Sequence, residues 1–122
     1  VPGDAVLNPA ALEHFEARER AGRKGLLERV VGAYFDQSAD LLRRLREGLA
    51  NRDFDAVREV AHALKSSSAV VGAESLSALC REVEEACRAG DKERAALAGA
   101  DAHSLLGEVL AALGARYPDL RR

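Results

Sequence analysis

Apolar positions along this chain recur at intervals of three and four residues, and no segment sustains an every-second-residue alternation. That period puts them on one face of a helix rather than a strand. The first segment opens at a well-marked boundary, with Asn8 as N-cap, Pro9 at the first helical position and Leu7 placed to staple onto Leu12. It fades in the charged, glycine-dotted run Glu19 to Gly25. A second helix is expected from about Lys24 to Ala50, turning Leu27, Val31, Tyr34, Ser38, Leu41 and Leu45 inward, with Val30, Phe35, Leu42 and Leu49 widening the stripe. Asn51-Arg52-Asp53 is a tight break, and Asp53 can cap a third helix from Phe54 to Val71. Phe54, Val57, Ala61, Leu64, Ser68 and Val71 form its inner face, and Gly72 ends it because glycine takes a left-handed conformation without steric cost. A fourth helix, Glu74 to Ala89, buries Leu76, Leu79, Cys80, Val83 and Cys87. After Gly90-Asp91 a fifth, Lys92 to Arg116, turns Leu97, Leu105, Leu106, Val109, Leu110, Leu113 and Tyr117 inward. Gly99 and Gly107 weaken it by about 1 kcal/mol each relative to alanine.

Four long helices joined by short loops must run antiparallel to their neighbours. The expected fold is therefore all-α: an antiparallel up-and-down four-helix bundle with a short additional N-terminal helix. Residues 1–7 read as linker, 8–117 as the bundle and 118–122 as a C-terminal tail; the abrupt start Val1-Pro2-Gly3-Asp4 suggests a piece of a longer protein. A length of 122 residues with 48% hydrophobic and 31% charged side chains suits a single soluble domain with one core. The formal charge of −2, without a basic stripe or interleaved aromatics, argues against nucleic acid. No apolar run approaches the roughly 20 residues that span a bilayer and no signal peptide opens the chain, so no direct membrane contact is expected. Cys80 and Cys87, seven residues apart on one helix, sit about 10 Å from each other, too far for a disulfide. They read as small core residues of a reduced, cytoplasmic protein.

Of the three histidines, one stands apart. With the third helix's stripe centred near Leu64 and Ser68, His62 projects roughly 130° away, into solvent. Lys65, Ser66 and Ala69 share its side of the helix, and Arg58 joins them from one turn back. An exposed imidazole flanked by two cations on a floor of small side chains has no structural use in a bundle, where long glutamates and lysines are the ordinary exposed filling. A chance surface histidine is the bland alternative, but a neutral imidazole near pH 7 is also a nucleophile, and a phosphoryl group on it would carry close to two negative charges that Lys65 could stabilise.

His14 and His103 lack that floor and that lysine and read as ordinary surface or boundary residues. The cysteines have no histidine in register for zinc, and the serine run Ser66-Ser67-Ser68 has no nucleophile elbow around it. Glu82, Glu84, Glu85 and Glu93 read as solvated carboxylates on an exposed helix face. No phosphate-cradling glycine loop exists, so a nucleotide site, and with it self-phosphorylation, is unsupported.

The run AHALKSSSAVVGAESLSALCREVEEACRAGD, residues 61 to 91, resembles the signature of histidine-containing phosphotransfer (HPt) domains. The resemblance is carried by His62, Leu64, Lys65, Ser67, Ser68, Gly72, Ala73, Leu76 and Leu79, and extends to the preceding helix, covering about two-thirds of the chain. It implies a phosphocarrier, not an enzyme: His62 takes phosphate from one receiver-domain aspartate and passes it to another, and Lys65 stabilises the phosphohistidine. Arg58, Ser66 and Ala69 would serve partner docking. No cofactor is implied beyond magnesium on the receiver partner. One departure is Ser66, where the family usually has glycine. The pattern is most like the C-terminal HPt module of a bacterial hybrid sensor kinase, cytoplasmic or tethered to the inner membrane through that kinase. Two other readings stay open: a helical binding module that regulates a partner without phosphate, and the phosphoacceptor segment of a chemotaxis-type kinase.

Overall fold

In the computed structural model the described residues are 6–121, and all their regular structure is helical. The reading of Val1-Pro2-Gly3-Asp4 as linker lies outside them. Helix α1 (Pro9–Arg20) starts where the Asn8 side chain accepts a hydrogen bond from the Ala10 amide. Leu7 and Leu12 on either side of that cap are both buried in the core. Helix α2 (Ala33–Ala50) is entered through a π-helical turn, Glu28–Gly32. It does not begin at Lys24: Gly25 takes a left-handed φ of 79°, so the chain still turns there, and the Glu19 carboxylate accepts from the Leu27 amide as the helix opens. Asp53 and Asp91 cap α3 (Phe54–Val70) and α5 (Lys92–Arg116) through their carboxylates, and α4 (Glu74–Arg88) lies between them. A 3-10 turn, Pro118–Leu120, closes the chain against the core through Leu120.

The long helices form a ring in which α3 packs on α2 and α4, and α5 packs on α4 and α2. Short connections make each an antiparallel neighbour of the next. The fold is thus the expected all-α bundle with an additional N-terminal helix. One core runs through it, from Leu12 and Val31 to Leu64, Leu76, Leu106 and Leu113.

The fifth helix departs from expectation. Leu97 is 71% exposed rather than inward. The face that packs is Ala95, Ala98, Gly99, Ala102, Leu106, Val109 and Leu113, a three/four stripe whose first half is made of small residues. Small side chains let α5 approach α2 closely: a Cβ on Gly99 would stand 2.8 Å from Leu49 Cδ2. Gly99 is therefore a packing residue, whereas Gly107 faces open space. By length and composition α5 is apolar enough to cross a membrane, contrary to the expectation drawn from the lack of an unbroken apolar run. In the bundle this helix supplies one wall of the core.

Gly72 joins three elements. Its φ of 84° terminates α3, its carbonyl accepts from the Asn8 amide at 2.7 Å, and an added Cβ would meet the Asn8 carbonyl oxygen at 2.5 Å. The turn between α3 and α4 is thereby closed by the start of α1, and the Asn8 side chain donates to Glu74 Oε1 at 3.0 Å.

Candidate functional site

His62 lies at the middle of α3, and its side chain is 69% exposed. The neighbours expected around it divide into three groups. Ser66 and Ala69 are exposed on the same side, Arg58 is half-buried, and Lys65 is mostly covered, with 27% of its side chain accessible. Ser67 turns back to donate to the Ala63 carbonyl at 3.1 Å. Ser68 points into the core, where its hydroxyl and that of Tyr34 share a 2.9 Å hydrogen bond. Burial pushes the Tyr34 phenol up to about 12, so this pair stays neutral. Ser77 of α4 donates to the Lys65 carbonyl at 2.7 Å and pins the two helices together beside the site.

The residue that organises the site is Glu84, and it overturns the expectation of a solvated carboxylate. Glu82, Glu85 and Glu93 are exposed, but Glu84 retains 1% of its accessible surface. Its Oε1 is 2.7 Å from Lys65 Nζ; its Oε2 is 3.2 Å from His62 Nδ1 and 2.9 Å from Arg88 Nη2. Burial favours the protonated acid, but hydrogen bonds from Lys65 and His62 and the charge they bring outweigh it, holding the carboxyl below its usual range. A buried carboxylate needs such partners, since an unpaired buried charge is costly. Its position in the sequence carried a signal: Glu84 is four residues after Cys80 and three before Cys87, in phase with the apolar stripe of α4.

The ion pairing changes the picture of two free cations beside the imidazole. The Lys65 ammonium is bound to Glu84 rather than standing open one turn from the ring. An ionised carboxylate only accepts hydrogen bonds. The 3.2 Å contact therefore requires the proton on Nδ1, leaving the lone pair of neutral His62 on Nε2. The site thus presents a tautomerically fixed imidazole whose second nitrogen keeps its lone pair. A cavity of about 250 Å³ opens beside it, lined by Arg58, Glu59, His62, Glu84 and Arg88.

The other candidates stay apart from this cluster. His14 is exposed and stacks edge-on with Phe15, His103 is half-buried on α5, and Cys80 and Cys87 are free thiols. Burial raises Cys80 to about 12, which makes it a poor nucleophile. Among the described residues no three His, Cys, Asp or Glu side chains are grouped to hold a metal ion.

Residues 29–116, more than half of the chain and containing all of the His62 cluster, match the model of the Hpt domain family. The chain is also similar to histidine-containing phosphotransfer protein 4 of Arabidopsis thaliana, with 36% identity over 69 residues, 55% of this chain and 54% of that protein. It therefore spans about half the length of this curated relative. No solved structure matches it. The matched segment holds the bundle, the exposed histidine and the lysine one turn on, and this chain belongs to the Hpt domain family.

Proposed function

We propose that His62 accepts a phosphoryl group at Nε2 from a receiver-domain aspartate and delivers it to a second receiver aspartate, as a phosphorelay carrier. The observation that carries this reading is the Glu84 contact to Nδ1 at 3.2 Å on a ring whose side chain is 69% exposed. In the forward step the Nε2 lone pair attacks the phosphorus of the aspartyl phosphate. The N–P bond forms as the acyl P–O bond breaks, and the aspartate leaves as a carboxylate. No proton has to move, because Nδ1 already carries one. The ring becomes a cationic phosphoimidazole whose charge faces the Glu84 carboxylate. In the reverse sense the imidazole departs as a neutral leaving group, so the adduct remains a competent donor.

Chemistry of this kind is mostly positioning and electrostatics. This chain supplies the nucleophile, the carboxylate that fixes it and the small-residue surface at Ser66 and Ala69 for a partner to lie against. The partner supplies the acidic pocket and its magnesium. The finer assignment, as the C-terminal module of a bacterial hybrid sensor kinase in the cytoplasm, rests on the pattern of residues 61 to 91. The test is incubation with a phosphorylated receiver. An acid-labile, base-stable phosphate should appear on the wild type and be absent from His62→Gln, with helicity unchanged. Labelling retained in His62→Gln contradicts the reading.

A further inference from the structure

Resting on that reading, we propose that Arg58 is the side chain that binds the phosphoryl group once it sits on His62. Three cations surround the ring, and two are already committed. Lys65 Nζ is 2.7 Å from Glu84 Oε1, and Arg88 Nη2 is 2.9 Å from Glu84 Oε2. Both are engaged by the buried carboxylate on the Nδ1 side of the ring, and that carboxylate offsets their charge. Arg58 makes no ion pair or hydrogen bond among the described residues. It stands one helical turn before His62 on the same face of α3 and lines the cavity beside the ring, which Lys65 does not line. The remaining wall residue, Glu59, lies 3.7 Å from Arg44 of α2, a contact that offsets its charge at the rim.

A half-buried guanidinium without an ion pair or hydrogen bond among the described residues, lining the cavity where nearly two negative charges will arrive, fits a phosphate ligand. Its planar fork matches two phosphoryl oxygens in a fixed geometry, where a lysine ammonium acts as a point charge. The arrangement divides the labour: Lys65 keeps Glu84 charged and in place, so that Nδ1 stays protonated, while Arg58 holds the cargo. It also shields the adduct without drawing the lysine away from the carboxylate that makes the ring a good leaving group.

The experiment uses phosphoramidate, a small phosphodonor that loads histidine without a docked receiver, so partner recognition does not enter. The second ionisation of the phosphoryl group is then followed by 31P NMR titration in the wild type, Arg58→Gln, Arg58→Lys and Lys65→Gln, with circular dichroism confirming that each is folded. Removing the nearby guanidinium in Arg58→Gln is expected to raise that ionisation by about 0.5 pH unit and to shorten the phosphohistidine half-life several-fold. Arg58→Lys should fall between Arg58→Gln and the wild type, and Lys65→Gln should shift the ionisation less than Arg58→Gln. A titration of Arg58→Gln that coincides with the wild type, or a larger shift in Lys65→Gln, overturns the assignment while leaving the phosphoacceptor role of His62 standing. Failure of phosphoramidate to label wild-type His62 overturns that role and this inference with it.

Discussion

At His62 the exposed ring and the buried carboxylate do separate jobs, and only one of them was legible in the chain. A helical-wheel argument puts His62 on the outside because its angle from the Leu64–Ser68 stripe is large, and the 69% exposure of its side chain agrees. Composition alone puts Glu84 with Glu82 and Glu85 as acidic filling on an exposed face. Its spacing from Cys80 and Cys87 puts it on the inner stripe, where a carboxylate survives only with cations around it. Spacing likewise places Lys65 one turn from His62 but does not show that its ammonium is held by Glu84. Without the buried carboxylate in view, nothing in the sequence says where its ammonium goes. The tautomer gives a prediction at this scale. In the wild type at neutral imidazole, 15N-edited NMR should find the His62 proton on Nδ1. In Glu84→Ala it should shift toward Nε2, and phosphoryl uptake should slow by about ten-fold or more. A His62 proton on Nε2 in the wild type contradicts the role given to Glu84.

Helix by helix, the periodicity places all five α-helices, with Gly25 trimming the start of α2, while the π turn at Glu28–Gly32 and the 3-10 turn Pro118–Leu120, in the segment expected as a tail, are features that period alone does not distinguish. It failed at the phase of α5. Leucine outweighs alanine in hydrophobicity, which favours Leu97 inward, yet the buried face of α5 is made of the smaller residues Ala95, Ala98, Gly99 and Ala102. The glycines of this chain separate cleanly on that basis. Gly107→Ala, exposed and meeting nothing, should stabilise the protein by about 0.5–1 kcal/mol. Gly72→Ala should cost at least about 2 kcal/mol, because its left-handed φ and the Asn8 carbonyl both reject a Cβ. Urea unfolding at pH 7 measures both; equal effects of the two substitutions would show that the α1 contact to Gly72 is unimportant.

For the molecule as a whole, two carboxylates tie distant segments together. Glu84 bridges α4 to α3. Glu16 of α1 accepts from Arg116 Nε at 3.1 Å and from the Tyr117 hydroxyl at 2.6 Å, joining the first helix to the end of the last. The Arg116 and Tyr117 hydrogen bonds hold Glu16 below the ordinary carboxylate range, as the lysine and histidine do for Glu84. A carboxyl with a lower pKa folded than unfolded contributes stability that is fully present above the unfolded value of about 4.3. That contribution is lost as pH falls through the lowered folded value. Urea midpoints should therefore drop between pH 6 and pH 3, and Glu16→Gln/Glu84→Gln together should flatten the fall. An equally steep fall in the double variant would place the acid sensitivity elsewhere.

Which nitrogen of which histidine carries the phosphate tests the central claim most directly. After loading, proton- and phosphorus-coupled 15N NMR should place the phosphoryl group on Nε2 of His62, with Nδ1 still protonated, and none on His14 or His103. Phosphate on Nδ1 of His62, or on either of the other histidines, would contradict the account.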